Sequence, residues 1–165
     1  MGLRILVADD HELVRDTISM FLESDGTGQV VQAGTLEDAL KQMKLHGPFD
    51  LVLLDYTMPG MRGLEGLKQA LKLSGGNPVG LISGTGTRLI AQQALDLGAA
   101  GFLPKTMPAK SLVNAVKFMA MGEFLPQQTL WRAKVMRLRQ ILKRLCQSAN
   151  VRFYAACWQQ NQTKR

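Results

Sequence analysis

The stretch Phe49-Asp50-Leu51-Val52-Leu53-Leu54-Asp55-Tyr56-Thr57-Met58-Pro59-Gly60-Met61-Arg62-Gly63 decides how this chain folds. Its apolar run, Leu51 to Leu54, lacks the polar alternation of a half-exposed strand and reads as a strand buried on both faces. The run stops abruptly in a carboxylate, and Pro59-Gly60 then turns the chain. Asp55 therefore stands at a strand's carboxyl-terminal mouth. Open parallel sheets collect their ligands and chemistry there, which makes Asp55 a candidate nucleophile or metal ligand. Taken by itself, it is equally a turn-forming aspartate before Pro-Gly.

Working outward, the same pattern repeats on both sides. Upstream, Leu3 to Ala8 is an apolar run ending in Asp9-Asp10-His11-Glu12, after which Leu13, Val14, Thr17, Ile18, Phe21 and Leu22 recur at helical spacing. Gln29 to Ala33 reads as a second strand, and Thr35-Leu36-Glu37-Asp38 as a capping-box-like start of a helix to about Leu45, stopped by Gly47-Pro48. Downstream, Leu64, Leu67, Leu71 and Leu73 predict a third amphipathic helix, closed by Ser74-Gly75-Gly76-Asn77-Pro78. Val79 to Ile82 is a fourth strand ending at Ser83-Gly84-Thr85-Gly86, and Leu89, Ile90, Ala94 and Leu97 predict the helix after it. Ala100 to Leu103 is a fifth strand ending at Pro104-Lys105. A last helix runs from Ala109 to Met121 with Leu112, Val113, Val116 and Met119 on one face and Gly122 as its stop.

Five strands alternating with five helices over short loops imply right-handed crossovers and an α/β fold, a doubly wound five-stranded parallel sheet. Four strands end in polar residues: Asp9 and Asp10, Asp55, Ser83, and Lys105. If the first, third, fourth and fifth strands lie side by side, these residues meet at one mouth.

The chain has 165 residues and a formal charge of +7, which suggests a nucleic-acid binder until it is divided. Up to Leu125 there are 11 Lys and Arg against 13 Asp and Glu; after it there are 9 against none. The excess basicity lies wholly in residues 126–165. Both cysteines, Cys146 and Cys157, are there too, so the first 125 residues hold no disulfide framework or cysteine metal site, and a reducing, cytoplasmic setting fits. The chain enters a strand almost at once, with no signal-peptide pattern, and no apolar run approaches membrane-spanning length.

Three carboxylates gathered at one mouth repel unless a cation compensates them. Hard oxygen ligands with no Cys or His nearby favour magnesium. His11 is arguable as a ligand, but it begins a helix directed away from the mouth in this reading and is taken as a surface residue. With magnesium bound, Asp55 can attack a phosphoryl group in line while Lys105 and the metal meet the charge on the equatorial oxygens. Ser83 can hydrogen-bond a phosphate oxygen, and its movement would carry the following loop, a switch that reads phosphorylation.

These residues resemble the response-regulator receiver domains of two-component signalling, over about Leu3 to Leu125. Ile5-Leu6-Val7-Ala8-Asp9-Asp10-His11 is similar to the acidic-pair motif of the NarL/LuxR branch, and Asp55 to Gly63 to the phosphoacceptor loop. Ser83-Gly84 resembles the Thr/Ser-Ala/Gly switch, and Gly98-Ala99-Ala100-Gly101-Phe102-Leu103-Pro104-Lys105 the final strand. The resemblance implies a flavodoxin-like receiver fold in which a sensor histidine kinase phosphorylates Asp55. It also implies that Asp9, Asp10, Asp55 and the Thr57 backbone carbonyl hold Mg2+. Ser83 and Lys105 would contact the phosphoryl group, and Phe102 would change rotamer when Ser83 moves; on periodicity alone Phe102 is a plain core residue. All these positions are filled, which argues against a degenerate receiver. Dimerisation on phosphorylation is a further implication.

In that branch a linker and a DNA-binding helix-turn-helix follow the receiver, and nothing after Leu125 resembles them in the frame given. Trp131, Val135, Leu138, Leu142 and Leu145 alternate by four and three with Arg and Lys between them, a basic amphipathic helix suited to a membrane surface, an acidic partner or a short coiled coil. The genetic code offers another reading. In a shifted frame, Lys143 to Arg165 permits a peptide similar to the opening of the helix-turn-helix, and Gln127 to Gln140 permits an acidic polar linker. The extension 126–165 is then an out-of-frame remnant, and DNA binding is not expected of this chain. Otherwise the chain is a stand-alone receiver whose basic helix binds a partner, nucleic acid or a membrane. An aspartate-nucleophile phosphatase is the third reading; such enzymes commonly need a second carboxylate two residues past the nucleophile, where this chain has Thr57. The chain is therefore expected not to be an enzyme beyond its own phosphorylation and dephosphorylation.

Overall fold

The computed structural model describes residues 2–122. The basic extension, with its Trp131 to Leu145 stripe and its shifted-frame reading, lies outside the described residues, as does the boundary at Leu125. The elements run β1 (Leu3–Ala8), α1 (Glu12–Ser24), β2 (Gly28–Ala33), α2 (Leu36–His46), β3 (Leu51–Asp55), α3 (Glu65–Leu73), β4 (Val79–Ser83), α4 (Arg88–Asp96), β5 (Gly101–Pro104) and α5 (Ala109–Ala120). All strand pairs are parallel, in the order β2-β1-β3-β4-β5. β3 lies at the centre, and all its residues are buried, as an unbroken apolar run between two helical layers requires.

Alternation along the strands divides the core. Leu6 and Ala8 of β1, Val52 and Leu54 of β3, and Val79 and Leu81 of β4 pack with Leu36, Ala39 and Met43 of α2, Leu67 and Ala70 of α3, and Ala91 and Ala94 of α4. The other face carries Ile5, Val7, Leu51, Leu53 and Ile82, all buried. On that side α1 packs with α5, and Met119 of α5 comes so near β4 that a Cβ on Gly80 would stand 3.1 Å from its sulfur. Glycine at that position lets the helix settle onto the sheet.

The predicted elements are all present with ends shifted by a residue or so, and Thr35 caps α2 by accepting from the Asp38 N–H at 3.2 Å. In two helices the predicted faces hold at Leu64, Leu67, Leu71, Ile90 and Ala94, in or against the core, and fail at three leucines. In α4 the buried residues are Ala91 and Ala94, while Leu89 is 67% and Leu97 38% exposed. In α3 the buried residues are Gly66, Leu67 and Ala70, with Leu73 39% exposed. α4 seats alanines where it lies against the sheet, whereas in α3 Gly66 makes room for Met61 and Leu36 and the predicted Leu67 is buried.

The chain leaves β1 for one edge of the sheet and returns through β3 toward the other, so the winding reverses between these neighbours. In such sheets a crevice opens outside the carboxyl ends of the two strands at the reversal. Asp9 follows β1 and Asp55 ends β3, so the two acids flank that crevice.

Candidate phosphoacceptor and metal site

Asp9 is fully buried and held on several sides. Its N–H donates to the Ala33 carbonyl at 3.1 Å, and its own carbonyl accepts from Nη1 of Arg15 at 2.8 Å. Its Oδ1 accepts from the His11 N–H at 2.9 Å, and its Oδ2 lies 2.7 Å from Nζ of Lys105. Asp55 is likewise fully buried: Oδ2 lies 3.1 Å from the same Nζ and accepts from the Thr57 hydroxyl at 3.0 Å. Its Oδ1 is buried without a hydrogen-bond partner. Lys105 thus bridges the two acids from the end of β5, its backbone N–H tied to the Ser83 carbonyl at 2.8 Å. Burial works to lower the Lys105 pKa; hydrogen bonds and charge from Asp9 and Asp55 outweigh it, so the ammonium titrates above its ordinary value.

Asp9, Asp10, His11 and Asp55 bring ligand atoms within 4.8 Å of one another. Three carboxylates facing one ammonium leave an excess of negative charge, and among the described residues no donor reaches Asp55 Oδ1. An oxygen-rich set of this kind fits a hard divalent cation such as Mg2+. The residue two beyond Asp55 is a threonine whose hydroxyl donates to it, where an aspartyl phosphatase would need a carboxylic acid.

Ser83, 2% exposed, ends β4, and its hydroxyl accepts from the Thr85 N–H at 3.3 Å. Phe102 pairs with Leu81 in the adjacent strand and is buried, so its surroundings are indeed those of a core residue. Its ring reaches beneath the loop after β4. A Cβ built on Gly86 would overlap that ring and stand 3.3 Å from Cβ of Ser83. Gly86→Ala is expected to cost about 1–3 kcal/mol of stability in urea unfolding. Adding Phe102→Leu to it should recover most of that loss; a double variant as unstable as the single one would disprove the steric link.

The structure thus brings Asp9, Asp10, Asp55 and Lys105 together, with Ser83 and Thr57 bordering them. It corrects the reading of His11. The ring is exposed at 63%, yet it turns toward the mouth, with Nδ1 2.9 Å from Oδ1 of Asp10 and 3.3 Å from Oδ1 of Asp9. The residue at the head of a helix ordinarily caps it; the His11 side chain makes no capping bond and turns to the carboxylates instead. Two residues escaped the sequence reading. Arg15 lies one helical turn after His11, half-buried, and ties the Asp9 backbone to the Gln32 side chain in β2. The turn spacing from His11 was the available signal for Arg15. Gly86 had none, because what crowds it comes from another strand.

Fold and site define a class of doubly wound α/β proteins whose acidic crevice is served by a lysine from the last strand. The sequence places the chain within it: residues 5–117 match the model of the response regulator receiver domain, and the chain belongs to that family. Over 123 residues it is 39% identical to NarL, a transcriptional regulatory protein of Mycobacterium tuberculosis, covering 73% of this chain and 56% of the relative. It is 34% identical over 125 residues to the glycerol metabolism activator of Pseudomonas putida, covering 74% and 57% respectively. The chain therefore spans little more than half the length of these curated relatives. Among solved structures, the NarL signal receiver domain of M. tuberculosis superposes with a TM-score of 0.68 at 38% identity, over 74% of this chain and 98% of that one. A LuxR family DNA-binding response regulator from Silicibacter pomeroyi gives 0.65 at 35% identity, over 75% and 97%. Receiver domains are signalling phosphoacceptors, not classical enzymes; sensor kinases phosphorylate them, and they bind Mg2+ at an acidic pocket. Among the described residues no helix is long and apolar enough to cross a membrane.

Proposed function

We propose that this chain accepts a phosphoryl group on Asp55 from a sensor histidine kinase in the cytoplasm and that the modified receiver controls a transcriptional response. The observation that carries this reading is the Asp55 carboxylate itself. It is fully buried at the mouth, with Oδ2 held by Lys105 and Thr57 and Oδ1 left without a partner.

Asp9, Asp10, Asp55 and the Thr57 backbone carbonyl would hold the magnesium ion. When bound, that ion supplies positive charge to the phosphoryl oxygens. An oxygen of Asp55 attacks phosphorus in line, forming an O–P bond as the P–N bond to the kinase imidazole breaks. Lys105, already between Asp9 and Asp55, has a short reach to the oxygens gaining charge. The Ser83 hydroxyl exchanges its Thr85 contact for the aspartyl phosphate, which draws in the loop containing Gly86 and displaces the Phe102 ring. The chain's action on phosphate ends with its own phosphorylation and dephosphorylation. Homodimerisation on phosphorylation belongs to this reading.

Incubating the full chain with a small acyl phosphate, with and without Mg2+, tests it by intact mass. One phosphoryl adduct per chain, formed only with the metal, is the expected result. No adduct, or continuing hydrolysis of a phosphate ester over many turnovers, would refute it. The charge of residues 126–165 favours a second reading, in which the basic extension is the output and binds an acidic partner or nucleic acid. Such binding would fall steeply with salt.

A further inference from the structure

We propose that His11 contributes an imidazole nitrogen to the acidic mouth, so that the site holds a divalent transition ion such as Ni2+ more tightly than it holds magnesium. This rests on the reading of the mouth as a cation site and goes beyond it by naming a ligand and a class of ion. Lys105 occupies Oδ2 of both Asp9 and Asp55. The oxygens beside His11 are others, Oδ1 of Asp9 and Oδ1 of Asp10, and Nδ1 stands 3.3 and 2.9 Å from them. Nδ1 is within hydrogen-bonding distance of both oxygens, so an ion bound here takes the place of the proton between them; adjacent ligands on one ion, each bound at about 2.0–2.2 Å, also sit roughly 3 Å apart. A second observation points to a cation at the same place: Asp55, fully buried, contributes a ligand atom to this cluster, and among the described residues its Oδ1 has no partner.

The backbone supports the placement. His11 has extended dihedrals ahead of α1, its N–H is fixed on Asp9, and its ring makes no capping bond. With the ring 63% exposed, an ion can arrive from solvent without any part of the sheet opening. An all-oxygen mouth suits magnesium; one imidazole nitrogen among carboxylates favours ions later in the first transition row, for which nitrogen donors gain most.

Calorimetric titration of the full chain with Ni2+ and, separately, Mg2+ tests this in the wild type, in His11→Gln and in Asp55→Asn. The wild type should take up one Ni2+ at least about tenfold more tightly than Mg2+, and His11→Gln should weaken Ni2+ about tenfold or more while leaving Mg2+ within about twofold. Asp55→Asn should weaken both ions, placing them at one site. Nickel binding indifferent to His11→Gln would overturn the proposal, whether the carboxylates alone or groups elsewhere hold the ion. Equal weakening of both ions would overturn it as well, since His11 would then only orient the acids. Failure of the wild type to bind Mg2+ would count against the phosphoacceptor reading instead, a separate outcome.

Discussion

Asp55→Asn is expected to abolish phosphoryl uptake while leaving the fold intact. Asparagine keeps the size of the side chain and one carbonyl oxygen, so Lys105 and Thr57 retain a neighbour at the end of β3. The amide lacks the charge and nucleophilicity needed to displace a phosphoryl group, and the adduct rate should fall at least about a hundredfold, about 2.7 kcal/mol of barrier. No neighbouring acid is placed to substitute. Asp9 is fixed by Lys105, by the His11 N–H and, through its backbone, by Arg15, and Asp10 lies at the solvent edge. Stability should hold or rise, since one of two acids sharing a single ammonium is removed. A urea unfolding curve measured beside the mass spectrum separates lost chemistry from lost structure. An adduct persisting at wild-type level in the folded variant would move the acceptor elsewhere.

How much of this site can be read from sequence depends on where each residue's partners lie along the chain. Asp9, Asp55, Ser83 and Lys105 are legible because each ends an apolar run, and in an alternating α/β chain every strand end points to the same side of the sheet. Their convergence needs only the order of the strands, which right-handed crossovers restrict strongly. Contacts set by tertiary approach are not legible in this way. Nothing near Gly86 in sequence announces the Phe102 ring beneath it, and nothing in α4 says that Ala91 joins Ala94 in the core while Leu89 and Leu97 stay exposed. His11 shows a third limit. Its position at the head of α1 was plain, but the direction of its ring follows from the Asp9 carboxylate accepting its backbone N–H, a local turn that helical periodicity does not encode.

Lys105→Met should produce the largest loss of stability among these variants, and its sign and rescue follow from the charges. Nζ lies 2.7 Å from Asp9 and 3.1 Å from Asp55, both fully buried, while the lysine side chain itself is only 14% exposed. Methionine preserves the apolar stem but leaves two buried carboxylates facing one another without a cation. In metal-free buffer near neutral pH the expected cost is about 2–4 kcal/mol, at the low end of what breaking a buried ion pair costs, because the mouth opens to water through Asp10 and His11. The pKa of Lys105 is raised in the folded chain, so its stabilisation is complete below the ordinary lysine value of about 10.4 and fades only as pH rises through the higher folded value. The gap between wild type and variant should therefore stay constant from neutral pH to about 10 and narrow above it. Saturating Mg2+ should return part of the loss, about 2.7 kcal/mol at a hundred times its Kd. Adding Asp55→Asn to Lys105→Met should return much of it without metal, by removing one of the stranded charges. If the single variant is as stable as wild type without metal, Lys105 does not balance the two acids, and the charge argument for a cation in this mouth loses its basis.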